Sequence, residues 1–185
     1  MPDTQLYIIR HGKAEGNEIN SPLHPEGKIQ AERLSDFLSQ RNIPNIKQLI
    51  SSPYLRATQT AEVISRKLDM EYSIKDALRE IDLDEINDDE NLVEKIKKQF
   101  ENFNLKLIGR ESNQDVMNRL GSLKDDLLQS GGTFLLVTHS VAMTLLLRHF
   151  DSNKFGFEQW RKLTNPDVYL VTFTNNNINI EDIWN

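Results

Sequence analysis

"LYIIRHGKAEGNE", residues 6–18, runs three apolar residues, Tyr7, Ile8 and Ile9, straight into Arg10, His11 and Gly12, with Asn17 six positions after the histidine. A short apolar run with polar flanks reads as a buried strand over residues 5–10. A buried strand that ends on a cation, an imidazole and a glycine needs a reason, and the rest of the chain supplies one.

Outward from that stretch, the pattern alternates. "SPLHPEG" (21–27) marks a turn and predicts a helix starting near Pro25, with Ile29, Leu34, Phe37 and Leu38 on its apolar face. "KQLIS" (47–51) is a second strand. It feeds "SSPYLRATQTAEVISRKL" (51–68), where Tyr54, Ala57, Ala61, Ile64 and Leu68 recur at helical spacing. Ser52 is its candidate N-cap, with Pro53 at the first helical position.

A further strand is expected near residues 70–75. Helical patterns follow at Leu92, Ile96, Gln99 and Phe103, and again at Val116, Leu120, Leu123 and Leu127. "TFLLVTHS" (133–140) is a clear strand ending on His139, and "VAMTLLLRHF" turns helical at once. "DVYLVTF" and "INIEDI", joined at "NNN", read as a hairpin. Strands alternating with helices predict one α/β domain over residues 1–185. The expected form is a three-layer α/β/α sandwich with a mostly parallel central sheet and a C-terminal antiparallel hairpin.

Bulk composition narrows the function. Apolar residues are 38% and charged residues 27%, a globular balance. No apolar run approaches the roughly 20 residues of a transmembrane helix, and no secretion signal is read at the N-terminus. Cysteine is absent, which excludes disulfides and thiolate metal sites and fits a cytoplasmic setting. The formal net charge of −6 argues against nucleic-acid and acidic-membrane partners. Any anion handled by this chain must meet locally concentrated cations.

Such a concentration exists. Arg10 and His11 follow one strand, Arg56 lies one turn into the helix after a second, and His139 follows a third. Ligands of open α/β sheets bind beyond the carboxyl ends of the strands. Taken singly, each residue is ordinary: a solvated strand end, a surface arginine, a structural histidine. Taken together they suggest an anion site, and no more. A metal site fits less well, because no close His-x-x-x-His pair is present and the arginines would repel the ion.

"RHGKAEGNE" resembles the signature of the histidine phosphatase superfamily, with its phosphoglycerate-mutase-like fold. "SPLHPEGKIQAERL", "SSPYLRATQTAE", "LRE" at 78–80, "GRESNQDVMNRL" and "VTHSVAMTLLLRHF" are similar to its further blocks, in order, over nearly the whole chain. The resemblance implies phosphomonoester hydrolysis without metal or cofactor, on a small phosphorylated metabolite or a phosphopeptide. His11 would carry a phosphohistidine, Arg10, Arg56, His139 and Asn17 would hold the phosphoryl oxygens, and Glu80 would be the general acid, with Asp82 as its substitute. Gly12 would leave room for close backbone approach to the phosphate.

Several features depart from the family pattern. Only four residues separate Asn17 from Pro22, Ala14 replaces a common Ser or Thr, and His24 stands in place of Thr at the helix start. The stretch after Glu80 lacks the Gly-x-Trp-Glu-Gly pattern. From Glu80 to Glu94 it carries eight acidic residues and no Lys or Arg, which would raise the pKa of Glu80 and, as a pocket wall, disfavour highly charged anions. The trimmed first loop favours a phosphatase over a phosphoglycerate-type mutase, which must exclude water. A non-catalytic phospho-ligand binder is the other alternative. His24 and His149 are read as local structure.

Overall fold

The computed structural model describes residues 3–81, 91–174 and 177–184. A six-stranded sheet forms its centre. The strands are β1 (Thr4–Arg10), β2 (Ile46–Ser51), β3 (Tyr72–Ile74), β4 (Gly132–Thr138), β5 (Asp167–Thr174) and β6 (Asn177–Asp182). Their spatial order is β3-β2-β4-β1-β5-β6. The pairs β1–β4, β2–β4 and β2–β3 are parallel, whereas β5 and β6 join antiparallel. The expected mostly parallel sheet with an antiparallel C-terminal hairpin is what the chain forms.

The apolar runs are continuous because both sheet faces are covered. From β1, Leu6 and Ile8 enter a core with Leu136 of β4 and the helices α3 (Leu92–Glu101), α4 (Asn113–Ser130) and α5 (Ser140–Arg148). Tyr7 and Ile9 point the other way, into a core with α1 (Pro25–Gln40) and α2 (Leu55–Leu68). Alternate residues of one strand therefore anchor opposite layers. A short helix α6 (Phe157–Trp160) completes the first layer. No helix among the described residues is long and apolar enough to cross a membrane.

Three local expectations change. Ile29 is 56% exposed, and Ala31 takes its place beside Leu34 and Leu38 on the buried face of α1. The helix after β2 begins at Leu55 with Tyr54 as N-cap, so Ser52 caps no helix. The strand near 70–75 shortens to Tyr72–Ile74, an edge strand held by β2 alone.

Candidate active site

Register brings the two histidines together. Arg10 of β1 lies opposite Thr138 of β4, so the next residues, His11 and His139, leave the sheet side by side. The His11 backbone N–H donates to the Thr138 carbonyl at 3.1 Å, and the imidazole centroids are 4.9 Å apart, edge to face. β2 ends level with them. Ser52 donates its N–H to Val137 at 2.9 Å, and its Oγ lies 2.7 Å from His139 Nε2. The first turn of α2 then carries Arg56 inward. Its Nε donates to His11 Nε2 at 3.1 Å and its Nη1 to the Glu18 carbonyl at 2.7 Å.

The hydrogen bonds of His11 define its tautomer. Nδ1 donates to the Gly12 carbonyl at 2.6 Å, while Nε2 accepts from Arg56, so Nε2 is unprotonated and its lone pair is held by the Arg56 guanidinium at the mouth of the sheet. Burial, then Arg56, then Arg10 hold the His11 pKa well below the usual imidazole value. Burial, reinforced by His11 and the nearby arginines, does the same to His139. Both rings are therefore neutral near pH 7. Tyr54 packs against both partners, its ring 5.0 Å from the His139 ring and 5.0 Å from the Arg56 guanidinium carbon.

Arg10 is held by the chain before β5. Its Nη1 donates to the carbonyls of Leu163 (3.0 Å) and Thr164 (3.1 Å), and its Nε is buried without a partner among the described residues. Burial lowers its pKa, and the charges of Glu80 and Asp167 oppose that shift. Asp167 faces Arg10 across the β1–β5 ladder. Its carboxylate accepts from the N–H groups of Thr164 and Val168, which fixes the loop that holds Arg10. Asn165, in the same loop, donates to the His11 carbonyl at 2.8 Å.

Gly12 lies against the start of α1. A Cβ on Gly12 would come 2.5 Å from the Gly27 carbonyl oxygen, and one on Gly27 would come 1.9 Å from the Lys13 carbonyl oxygen. The two glycines let the first turn of α1 lie directly on the His11 segment. Room for that helix is one requirement that Gly12 meets. His24 caps α1, its Nδ1 accepting from Glu26 N–H at 3.1 Å, and His149 Nε2 bonds the Met117 carbonyl at 3.0 Å. Both are local structure, as read.

Glu80 is buried at the start of α5. Its two oxygens accept from the backbone N–H groups of Ile81, Val141 and Ala142, each at 3.0 Å, and from Ser140 Oγ at 3.2 Å. The carboxylate thereby satisfies donors that a helix N-terminus leaves unpaired. Asp82, and with it residues 82–90 of the acidic run, lies outside the described residues. Asn17 is half-buried in the loop between Ala14 and Leu23, which a backbone bridge pinches shut, and its amide has no hydrogen-bond partner among the described residues. Of the six candidate residues, His11, Arg56, His139, Arg10 and Glu80 converge. Asn17 borders them through its neighbour Glu18.

Sequence reasoning missed Ser52 as a site residue, and it missed Asn165 and Asp167 altogether. Ser52 carried a signal, a serine at a strand end level with His139, but it was absorbed into a helix-cap reading. The other two carried none, because Asn165 bonds His11 from 154 residues away and Asp167 meets Arg10 only through the pairing of β1 with β5.

Comparison with known proteins places the chain. The family model described as "Histidine phosphatase superfamily (branch 1)" matches residues 6–185. A probable phosphoglycerate mutase of Salmonella choleraesuis is 25% identical, with 84% of this chain and 77% of the relative covered. A solved mycobacterial glucosyl-3-phosphoglycerate phosphatase shares the fold with a TM-score of 0.77 at 20% identity, covering 98% of this chain and 99% of that one. A phosphoserine phosphatase mutant from Entamoeba histolytica, solved with phosphoserine, shares it at TM-score 0.73 and 22% identity, over 97% and 95% of the two chains.

Proposed function

The chain belongs to the histidine phosphatase superfamily (branch 1), and from that premise we propose that it hydrolyses small phosphate monoesters through a phosphohistidine on His11. One observation carries the reading: a neutral His11 whose proton is committed to the Gly12 carbonyl, leaving Nε2 as the attacking atom beside Arg56.

In the first step, Arg56 Nε gives up its bond to His11 Nε2, and the freed lone pair forms the N–P bond as the bond from phosphorus to the leaving oxygen breaks. Arg56 and Arg10 offset the charge on the equatorial oxygens, and His139 donates to one of them. Asn17 adds a neutral donor. The leaving oxygen takes its proton from Glu80, which must release at least one of its four accepted bonds to carry that proton. In the second step Glu80 takes a proton from water, the water oxygen bonds to phosphorus, and the N–P bond breaks to restore His11. No step passes through a metal.

The first loop supports hydrolysis over phosphoryl return to substrate. Residues 15–22 form a closed turn, with Glu15 N–H bonded to the Pro22 carbonyl at 2.9 Å, rather than an extended cover. The probable mutase among the relatives keeps a phosphoglycerate-type mutase as the second reading.

The deciding experiment is hydrolysis of p-nitrophenyl phosphate by the wild type with and without EDTA, beside His11→Ala, with trapping of acid-labile, base-stable phosphoprotein. EDTA-resistant turnover and a trapped adduct, both lost in the variant, are expected. Trapped phosphoprotein that passes its group to phosphoglycerate faster than to water would favour the mutase. Phosphate binding without turnover would favour a non-catalytic binder.

A further inference from the structure

His139 presents a proton-counting problem that His11 does not. Among the described residues, Nε2 has one hydrogen-bond neighbour, Ser52 Oγ at 2.7 Å, and Nδ1 is buried without a partner. Ser52 is fully buried. Its Oγ also receives the Tyr54 backbone N–H at 3.3 Å, and its own N–H and C=O are taken by Val137 and by Ser51 Oγ. Among the described residues, the only acceptor within reach of the Ser52 hydroxyl proton is His139 Nε2.

The two neutral tautomers are therefore unequal. With the His139 proton on Nε2, that N–H would point at Ser52 Oγ. The hydroxyl hydrogen and the Nδ1 lone pair would then both be left buried and unsatisfied. With the proton on Nδ1, the hydroxyl donates to Nε2, Tyr54 N–H donates to the hydroxyl, and Nδ1–H alone lacks a partner. An unmade buried hydrogen bond costs about 1–3 kcal/mol, so one orphan is preferred to two.

We propose that Ser52 is a positioning residue that locks His139 as the Nδ1–H tautomer, leaving Nδ1–H as the one donor of that ring directed away from the protein's own acceptors. The depressed pKa of His139 supports this, because a neutral ring has a tautomer to set and an imidazolium does not. The use of the donor rests on the phosphatase reading: Nδ1–H would bond a phosphoryl oxygen in a ring 4.9 Å from His11. A donor oriented before the charge arrives needs no reorganisation when the charge develops. The backbone explains the alignment, since Ser52 leaves β2 one residue beyond the Ser51–Val137 pair, level with the end of β4.

The test is a long-range ¹H–¹⁵N correlation spectrum of the full-length protein with ¹⁵N-labelled histidine at pH 7.5, assigned with His139→Gln. Four histidines make the spectrum tractable. The wild type should show protonated Nδ1 and unprotonated Nε2 for His139. Ser52→Ala should shift that population by about 5-fold toward Nε2–H, and its kcat on p-nitrophenyl phosphate should fall about 10-fold, as loss of one hydrogen bond allows. Ser52→Thr, which keeps the hydroxyl, should restore both. Nε2–H in the wild type, or an unchanged tautomer in Ser52→Ala, would overturn the proposal. If Ser52→Ala does not fold, the wild-type spectrum decides alone. A locked Nδ1–H tautomer without any turnover would count against the phosphatase reading and leave the role of Ser52 standing.

Discussion

The two ends of one sheet carry opposite chemistry. At the carboxyl ends of β1, β2 and β4 lie two arginines, two histidines and a buried glutamate, with Arg56 bonded directly to His11. At the amino ends lies a cleft of about 450 Å³ lined by Thr4, Pro44, Gly132 and Thr172 among others, with no cation in its wall among the described residues. Topology sets the difference. Each parallel strand delivers its carboxyl end to a helix N-terminus, where orphan N–H groups favour anions, as Glu80 shows against α5. The amino end receives helix C-termini instead, and there Lys47 Nζ donates to the last carbonyls after α4, Ser130 and Gly131, at 3.0 and 3.1 Å. The fold thus accepts anions at one end and cations at the other.

The largest test of that asymmetry is Arg56→Ala, which removes the only side-chain contact on His11 Nε2 among the described residues. We expect kcat on p-nitrophenyl phosphate to fall by about 10²–10³-fold, the size of losing a preorganised charge donor. A loss under 10-fold would mean that the carboxyl-end cluster is structural.

Glu80→Gln separates two roles of one group. Loss of a general acid should cost about 10²-fold or more on an alkyl phosphate and much less on p-nitrophenyl phosphate, whose leaving group needs no proton. An equal loss on both substrates would assign Glu80 to capping α5 alone.

Gly27→Ala tests the packing beneath the site. The added methyl cannot coexist with the Lys13 carbonyl, so we expect about 2 kcal/mol of destabilisation and a Tm lower by about 4–8 °C in calorimetry. An unchanged Tm would show that α1 moves off the His11 segment without cost.

Acid should weaken the carboxyl end selectively. Both site histidines have folded pKa values held below the unfolded value of about 6.5. The unfolded chain therefore binds more protons below that pH, and stability that is full above about pH 6.5 is lost as the pH falls. The slope is about 1.4 kcal/mol per pH unit for each histidine. Urea denaturation at pH 7.5, 6.5 and 5.5 checks this, and His139→Gln should reduce the slope. A flat profile would contradict the neutral-pair description.

Lys47→Ala, at the amino end, should cost under about 1 kcal/mol in the same assay and leave kcat unchanged. A catalytic effect there would show that the two ends are coupled.

Much of this was legible in the chain. Apolar runs and 3- and 4-residue spacings located the strands and helices, because both periods depend only on neighbouring residues. Tyr54, Ala57, Ala61 and Ile64 are buried as the spacing required, whereas Ile29 is not, because an apolar residue on the edge of a stripe faces solvent when no layer reaches it. Arg10, His11 and His139 were visible as polar ends of buried strands.

By itself, then, the order of residues determined the α/β alternation, the layers and the candidate side chains of the site, all of which are written in local pattern. Tertiary structure decided which of those side chains meet. The parallel register of β1 on β4 set His11 beside His139, the end of β2 brought Ser52 to Nε2, and α5 claimed the carboxylate of Glu80 from 60 residues away. It also decided that Gly12 makes room for α1 and that Asn165 reaches back to His11. Hydrogen bonds across such separations depend on strand order and register, which no local period encodes.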